Sequence, residues 1–302
     1  MDSRRRPSAP VTVSDWIGWG RDFLENKLDQ PHEESRYLME AVLESKTAIW
    51  TQASCPLSME KAVLFQSWLE RRGQREPFHL IVGEVDFFGR PFILRPGVLI
   101  PRPETELVVT CCVQELRRIQ GKKDAPVRIL DLGAGSGAIV ISILMELPDS
   151  LGIAVERESE ALSVLIDNRA RHGLEKRLAA VRGNWGKMLA NKAGFDCIVS
   201  NPPYIPTPVI ATLDPEVRNF EPMAALDGGI DGLEAYREIL SFAPFLLNDH
   251  GILVFEIGAD QANEKPFRPG KDEKETSGFL GDPKVLKDVL GRDRVLYWKK
   301  KE

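Results

Sequence analysis

A glycine-rich segment, Asp131-Leu132-Gly133-Ala134-Gly135-Ser136-Gly137-Ala138, stands between one apolar run at 127–130 and another at 139–144. Glycines at alternate positions let the backbone leave a strand in a sharp turn, and the free amides at the start of the following helix face whatever sits in that turn. A strand, such a turn and a helix in this order form a crossover unit, which commits the chain to a parallel sheet covered by helices. The alternation continues beyond it, with a helix from Ser136, a strand at 152–155, a helix from Ser159, and strands at 179–181 and 197–200. The expected fold class is α/β, with a Rossmann-like domain around a mostly parallel sheet.

A chain of 302 residues leaves room for a second, smaller part. Helical spacing of apolar residues predicts helices over 13–28, with Ser14 as its cap, over 33–44 and over 58–74. Two short apolar stretches, 81–88 and 91–94, flank Gly89-Arg90 and predict a β-hairpin. The expected division is a helical domain at 1–78, a hairpin linker at 79–98 and the α/β domain at 99–302. A polar stretch at 259–277 carrying Pro266, Pro269 and Gly270 replaces an expected sheet-covering helix with a loop.

Glu156 closes the strand after the glycine turn, 23 residues beyond Gly133. A carboxylate there can accept both hydroxyls of a ribose, which favours a nucleotide-like ligand over a glycine turn that only joins strand to helix. Gly133, Gly135 and Ala138 also satisfy a relaxed dinucleotide pattern, so the loop alone leaves S-adenosylmethionine and a nicotinamide cofactor both open. Asn184 and Trp185 follow the third strand at the same strand-end crevice. Asn184 can bond a base and Trp185 can cover it, or Trp185 packs beneath a loop.

Asn201-Pro202-Pro203-Tyr204 follows the fourth strand and so emerges on the same face as the glycine turn. Each proline removes a backbone donor and holds the preceding residue extended, leaving carbonyls as a rigid row of acceptors. An NH2 conjugated to a carbonyl or ring is a poor nucleophile because its lone pair is delocalised. The Asn201 side-chain oxygen and the Pro202 carbonyl can take its two hydrogens and turn that lone pair toward an electrophilic methyl. Tyr204 offers an aromatic face to a planar amide. A methyl donor that brings its own positive charge and leaving group calls for no metal, and none is expected.

The formal net charge of -5 argues against sequence-independent wrapping of nucleic acid. Cys55, Cys111, Cys112 and Cys197 show no paired spacing, and the histidines are scattered, so neither disulfides nor zinc are expected. Arg4-Arg5-Arg6 has no apolar core behind it, and no run approaches membrane-spanning length, which places the expected location in the cytoplasm.

Together with Arg75-Glu76-Pro77-Phe78, Gly83-Glu84, Leu99-Ile100-Pro101-Arg102-Pro103-Glu104-Thr105-Glu106 and Phe220-Glu221-Pro222, these motifs resemble the HemK-type family of glutamine N5-methyltransferases. The resemblance implies a seven-stranded methyltransferase domain, S-adenosyl-L-methionine as cofactor, and the glutamine of the Gly-Gly-Gln loop of class I peptide chain release factors as substrate. It implies cofactor contacts from Asp131, Gly133, Ala134, Gly135, Ser136, Gly137, Glu156, Asn184, Trp185 and Asn201. It gives Asn201, Pro202, Pro203 and Tyr204 the catalytic and substrate-holding role, with Arg102, Glu104 and Glu106 near the cleft, or forming a salt-bridge cluster at a helix start. The helical domain and the hairpin would grip the release factor outside the active site, no nucleic acid is expected to bind directly, and a monomer is expected. Asn184 stands where the family often has Asp, and 259–277 departs from the family's helix, the resemblance resuming at Gly291-Arg292-Asp293-Arg294-Val295.

The same tetrapeptide would serve a ribosomal-protein glutamine or the exocyclic amine of adenine or guanine. A non-catalytic S-adenosylmethionine-binding interaction protein and an NAD-dependent dehydrogenase are the readings from other classes. Calorimetry with both cofactors separates them.

Overall fold

Thr12, not Ser14, starts the first helix of the computed structural model, which describes residues 12–121, 125–186, 189, 194–267 and 282–300. Thr12 Oγ1 accepts from the Asp15 N–H at 3.2 Å while Asp15 Oδ2 accepts from the Thr12 N–H at 3.0 Å, a reciprocal capping box. With Ser14 as cap, Ile17 would occupy the third helical position and could return no bond. Five helices follow one another: α1 (Val13–Leu24), α2 (Pro31–Leu43), α3 (Ala48–Thr51), α4 (Met59–Gly73) and α5 (Phe78–Val82). Val13, Trp16, Leu38, Met39, Phe65 and Leu69 form their shared core. A Cβ added at Gly20 would lie 2.3 Å from Ser35 Oγ, so the glycine is what allows α1 and α2 to approach this closely.

These helices belong to a unit made of Met1–Gly83 and a segment from much later in the chain, Asp214–Phe220. The second unit is Glu84–Leu213 with Glu221–Glu302. It begins with a hairpin, β1 (Glu84–Phe87) and β2 (Arg90–Ile93), whose turn is Phe88-Gly89, at φ 50 and 69, one residue earlier than expected. Ile81 and Val82 are helical instead of opening the strand, because Gly83 at φ 83 ends α5 and redirects the chain. The hairpin is bound into the larger unit: Asn168 donates to Ile93 O at 3.1 Å and accepts from Ile93 N at 2.7 Å.

The sheet of this unit contains β3 (Val127–Leu132), β4 (Ser150–Glu156), β5 (Leu178–Arg182), β6 (Phe195–Ser200), β7 (Leu247–Glu256), β8 (Lys284–Lys287) and β9 (Asp293–Lys299). Their order is β5-β4-β3-β6-β7-β9-β8, parallel except that β9 runs antiparallel to both neighbours. The helices of the unit are α6 (Glu106–Gln120), α7 (Ala138–Glu146), α8 (Ser159–Arg171), α9 (Thr207–Ile210), α11 (Met223–Leu226) and α12 (Glu234–Leu246), while α10 (Pro215–Phe220) lies in the segment assigned to the helical unit. Every residue of β6 is buried, as a strand covered on both faces requires.

The expected loop at 259–277 is described as far as Phe267, and its remainder lies outside the described residues. The described part holds a single 3-10 turn, Lys265–Phe267. It still covers the sheet: Phe267 is 1% exposed, with its ring centroid 4.9 Å from Tyr236 and 6.1 Å from Trp298. Phe267 and the buried Ala262 thus add apolar cover from an irregular segment.

Candidate active site

Chain reversal between β3 and β6 at the sheet centre brings two strand ends side by side, the position where open α/β sheets bind ligands. Ser200 Oγ donates to Leu132 O at 2.6 Å and fixes those ends to each other. The glycine turn leaves one, and Asn201-Pro202-Pro203-Tyr204 leaves the other.

In the turn, the Gly133 and Ala134 amides donate to Val155 O at 2.9 and 3.1 Å. Gly133, Gly135 and Gly137 all have positive φ, at 69, 56 and 81. A Cβ at Gly135 would meet nothing within 4 Å, so this residue faces open space, whereas one at Gly137 would press on Ile141 and Leu165. Glu156 is 8% exposed and its carboxylate already accepts three amides: Gly135 at 2.8 Å, Arg157 at 2.7 Å and Glu158 at 2.9 Å. A carboxylate offers about four acceptor positions, so a second ribose hydroxyl displaces one of these amides. Asp131, fully buried next to the end of β3, finds no hydrogen-bond partner of ordinary geometry among the described residues for either oxygen. Burial pushes its carboxyl up to about 7, with the Val140 amide opposing and the Glu156 charge adding.

A cavity of about 560 Å³ joins the two motifs, and its wall includes Gly133, Ala134, Gly135, Ser136, Glu156, Asn184, Trp185, Asn201 and Pro203. Asp131, Gly137, Pro202, Tyr204, Arg102, Glu104 and Glu106 are not on that wall. Trp185, at φ 50, rests its ring over Gly133, where an added Cβ would come within 3.2 Å of Cζ3. The ring also packs against the core, which is the packing reading, while it stands on the cavity wall where a covering role would place it.

Among the described residues, no donor reaches the Asn201 side chain or the Pro202 carbonyl. Pro203 O likewise meets no donor among the described residues, and the carbonyls after it are engaged. Tyr204 O accepts from Gln261 Nε2 at 3.1 Å and Ile205 O from the Gly228 amide at 2.9 Å. The row of acceptors expected from the prolines is therefore free only at its start. Burial, reinforced by the Glu256 charge, pushes the Tyr204 phenol up to about 12, so it stays protonated at neutral pH. Glu256 itself is 1% exposed at the end of β7, one step past the Ser200–Phe255 pair and so level with Asn201. Burial pushes its carboxyl up to about 7 against the pull of Thr105 and Arg294.

Arg102 forms a close ion pair with the buried Glu221, whose other oxygen accepts from Ile100 N at 3.4 Å. Glu106 Oε1 accepts from the Phe88 amide at 2.8 Å. Arg102 and Glu106 thus pair with partners outside a cluster of their own, and Arg102, Glu106 and Glu221 each stand next in sequence to a wall residue, Pro101, Thr105 or Pro222.

Sequence reasoning did not single out the segment Asp227–Leu233. Its Asp227 Oδ1 accepts from Thr207 Oγ1 at 2.7 Å and from the Gly229 amide at 2.9 Å. A Cβ at Gly228 would lie 2.8 Å from Pro203 O, so this loop presses directly on the tetrapeptide backbone. Three glycines and two aspartates within seven residues, just ahead of a helix, were the available signal.

Glu156, Glu158, Asp227, Glu234 and Glu238 line the cavity against the single guanidinium of Arg157. An excess of carboxylates in a partly closed space favours a cationic ligand. Among the described residues there is no cluster suited to a metal ion.

The PrmC N-terminal domain family model matches residues 15–83, and the Methyltransferase small domain model matches 114–210. The chain is similar to a release factor glutamine methyltransferase of Agrobacterium fabrum, 40% identical over 81% of this chain and 82% of that protein. It is similar to one of Caulobacter vibrioides, 39% identical over 94% of each chain. It is also similar to the human MTRF1L release factor glutamine methyltransferase, 36% identical over 96% of this chain and 87% of that one. Among solved structures it resembles the hMettl16 catalytic domain in complex with the MAT2A 3'UTR hairpin 6, at a TM-score of 0.54 and 15% identity, covering 80% of this chain and 82% of that chain. At that identity the likeness is one of fold.

Proposed function

The chain belongs to the release factor glutamine methyltransferase family, and from that premise we propose that it transfers a methyl group from S-adenosylmethionine to the side-chain amide nitrogen of the Gly-Gly-Gln glutamine of a class I peptide chain release factor. The observation that carries this reading is the single cavity holding Gly133–Ser136 and Glu156 on one side and Asn201 and Pro203 on the other.

S-adenosylmethionine, when bound, supplies an electrophilic methyl group and a neutral leaving group. Its positive charge suits the carboxylate-rich wall, its ribose suits Glu156, and its close approach to backbone suits Gly135, where no side chain intervenes. Asn201 Oδ1 and the Pro202 carbonyl accept the two amide hydrogens of the glutamine and turn its nitrogen lone pair toward the cofactor side. Once the nitrogen has gained the methyl group and the thioether has left neutral, one of these hydrogens departs as a proton to water. Tyr204 stands off the cavity wall with its ring packed against the core, so its role is to hold the tetrapeptide rather than to stack on the substrate amide, and its neutral phenol is excluded as a base near pH 7. Asn184 reaches the cofactor as a neutral acceptor.

The protein is further proposed to act as a monomer in the cytoplasm without binding nucleic acid directly. No helix among the described residues is long and apolar enough to cross a membrane.

Two measurements test this. Labelled cofactor offered to a release factor and to its glutamine-to-alanine variant should label the first alone. Label on both, or only on a ribosomal protein or a nucleic acid, would reject the substrate. Glu156→Gln should weaken S-adenosylmethionine binding roughly 10- to 50-fold, about 1.4–2.3 kcal/mol, by calorimetry. The rate at saturating cofactor should barely change, and unchanged affinity would move the ribose contact elsewhere.

A further inference from the structure

Glu216 is the acidic partner that α10 carries into a cluster otherwise drawn from the first 83 residues. Arg72, only 7% exposed, holds Glu34 through two bonds of 2.9 and 2.8 Å, donates to Glu76 O at 3.2 Å, and reaches Glu216 Oε1 at 3.3 Å. Arg75 Nε donates to Glu216 Oε2 at 2.9 Å, and its Nη1 donates to Lys27 O at 3.1 Å. Arg75 is held at φ 68, a left-handed conformation that a non-glycine residue keeps only where its surroundings fix it. Burial works against the charge of Glu216, yet Arg75 and Arg72 hold its carboxyl below the usual range.

The chain around Glu216 belongs to the catalytic unit on both sides. Upstream lie Asn201–Tyr204 and α9, and downstream, beginning five residues later, come Glu221, pinned by Arg102, and the cavity-wall residues Pro222 and Met223. The polypeptide thus leaves the substrate motif, enters the helical unit, and returns as the wall of the same cavity.

The geometry points to Glu216, held by Arg72 and Arg75, as a positioning residue that tethers the substrate-side wall at 221–227 to the helical unit, so that methyl transfer to a protein substrate depends on this ion-pair cluster. Its kinetic part rests on the activity proposed above. A short segment anchored at Glu216 and again at Glu221 keeps the intervening backbone from fluctuating, and freeing one anchor restores that freedom.

The test uses the full chain with Glu216→Ala and, because Arg75→Ala leaves Arg72 paired to Glu34, that second variant as well. Hydrogen exchange read by mass spectrometry should quicken roughly tenfold across 217–227 in Glu216→Ala, the scale of one partly buried ion pair, with 13–70 unchanged. The kcat/KM for a release factor should fall roughly tenfold, while S-adenosylmethionine affinity stays within about twofold. Arg75→Ala should shift both readouts in the same direction by about threefold. Wild-type exchange at 217–227 in either folded variant, or wild-type turnover despite faster exchange, overturns the assignment. If Glu216→Ala loses protection throughout 13–70, Arg75→Ala decides by the same criteria. A wild-type protein that methylates no release factor would sink the activity, while the exchange data would still judge the tether.

Discussion

Asn201→Ala is expected to lower methyl transfer by about two to three orders of magnitude, or about 3–4 kcal/mol of transition-state stabilisation, with S-adenosylmethionine still bound. Asn201 lines the cavity opposite the glycine turn, and no donor among the described residues occupies its side chain. An amide nitrogen becomes nucleophilic only when its hydrogens are held so that the lone pair points at the electrophile. Alanine removes one of the two acceptors that do this. The loss should appear in kcat, because the rest of the pocket still binds both ligands. Single-turnover methylation beside cofactor calorimetry checks it, and near-normal turnover would remove Asn201 from the chemistry.

Gly232→Ala should be the most damaging change outside the two motifs. Gly232 has φ 74, and an added Cβ would stand 2.3 Å from Tyr204 O and 3.0 Å from Gln261 Nε2. That side chain bridges Tyr204 O and Gly232 O at 3.1 and 3.2 Å, so the new methyl group has rigid backbone on one side and a committed amide on the other. Left-handed strain and overpacking together should cost about 2–4 kcal/mol of stability. Displacing the Tyr204 backbone should also reduce kcat about 100-fold. Gly173→Ala is the control: φ is 66 but nothing lies within 4 Å, so it should cost only about 1 kcal/mol and leave the rate alone. If both variants melt and turn over alike, the loop does not position the tetrapeptide.

Asp131–Ala138 and Asn201–Tyr204 were legible because each is contiguous and each carries its own backbone chemistry. Their strand-end placement followed from the alternation of strand and helix, and the β3–β6 adjacency made them neighbours. The hairpin turn and the cap of α1 were each misplaced by one or two residues, since apolar spacing does not register a reciprocal Thr12–Asp15 bond or the redirection at Gly83. Trp185 could be read either as cover or as packing because one large ring can do both.

Glu156 illustrates the limit more sharply. Its position at the strand end marked it as a ligand carboxylate, but the three amides that engage it come from residues brought near by the turn as well as from its own neighbours. Asp227–Leu233, Glu256 and Glu216 were not singled out at all. Each acts on residues distant in sequence, through contacts that only the closed fold creates.

Sequence alone determined the local backbone options: where glycine permits positive φ, where proline withholds a donor, and which runs must be buried strands. These are properties of single residues and their neighbours, so they are written in the chain directly. Tertiary structure decided which acceptors stay free for a substrate, which carboxylates are dry enough to hold a proton near neutral pH, and which short helix between the substrate motif and the cavity wall joins the helical unit. Those depend on burial and on long-range pairing, and neither exists until the chain has closed on itself.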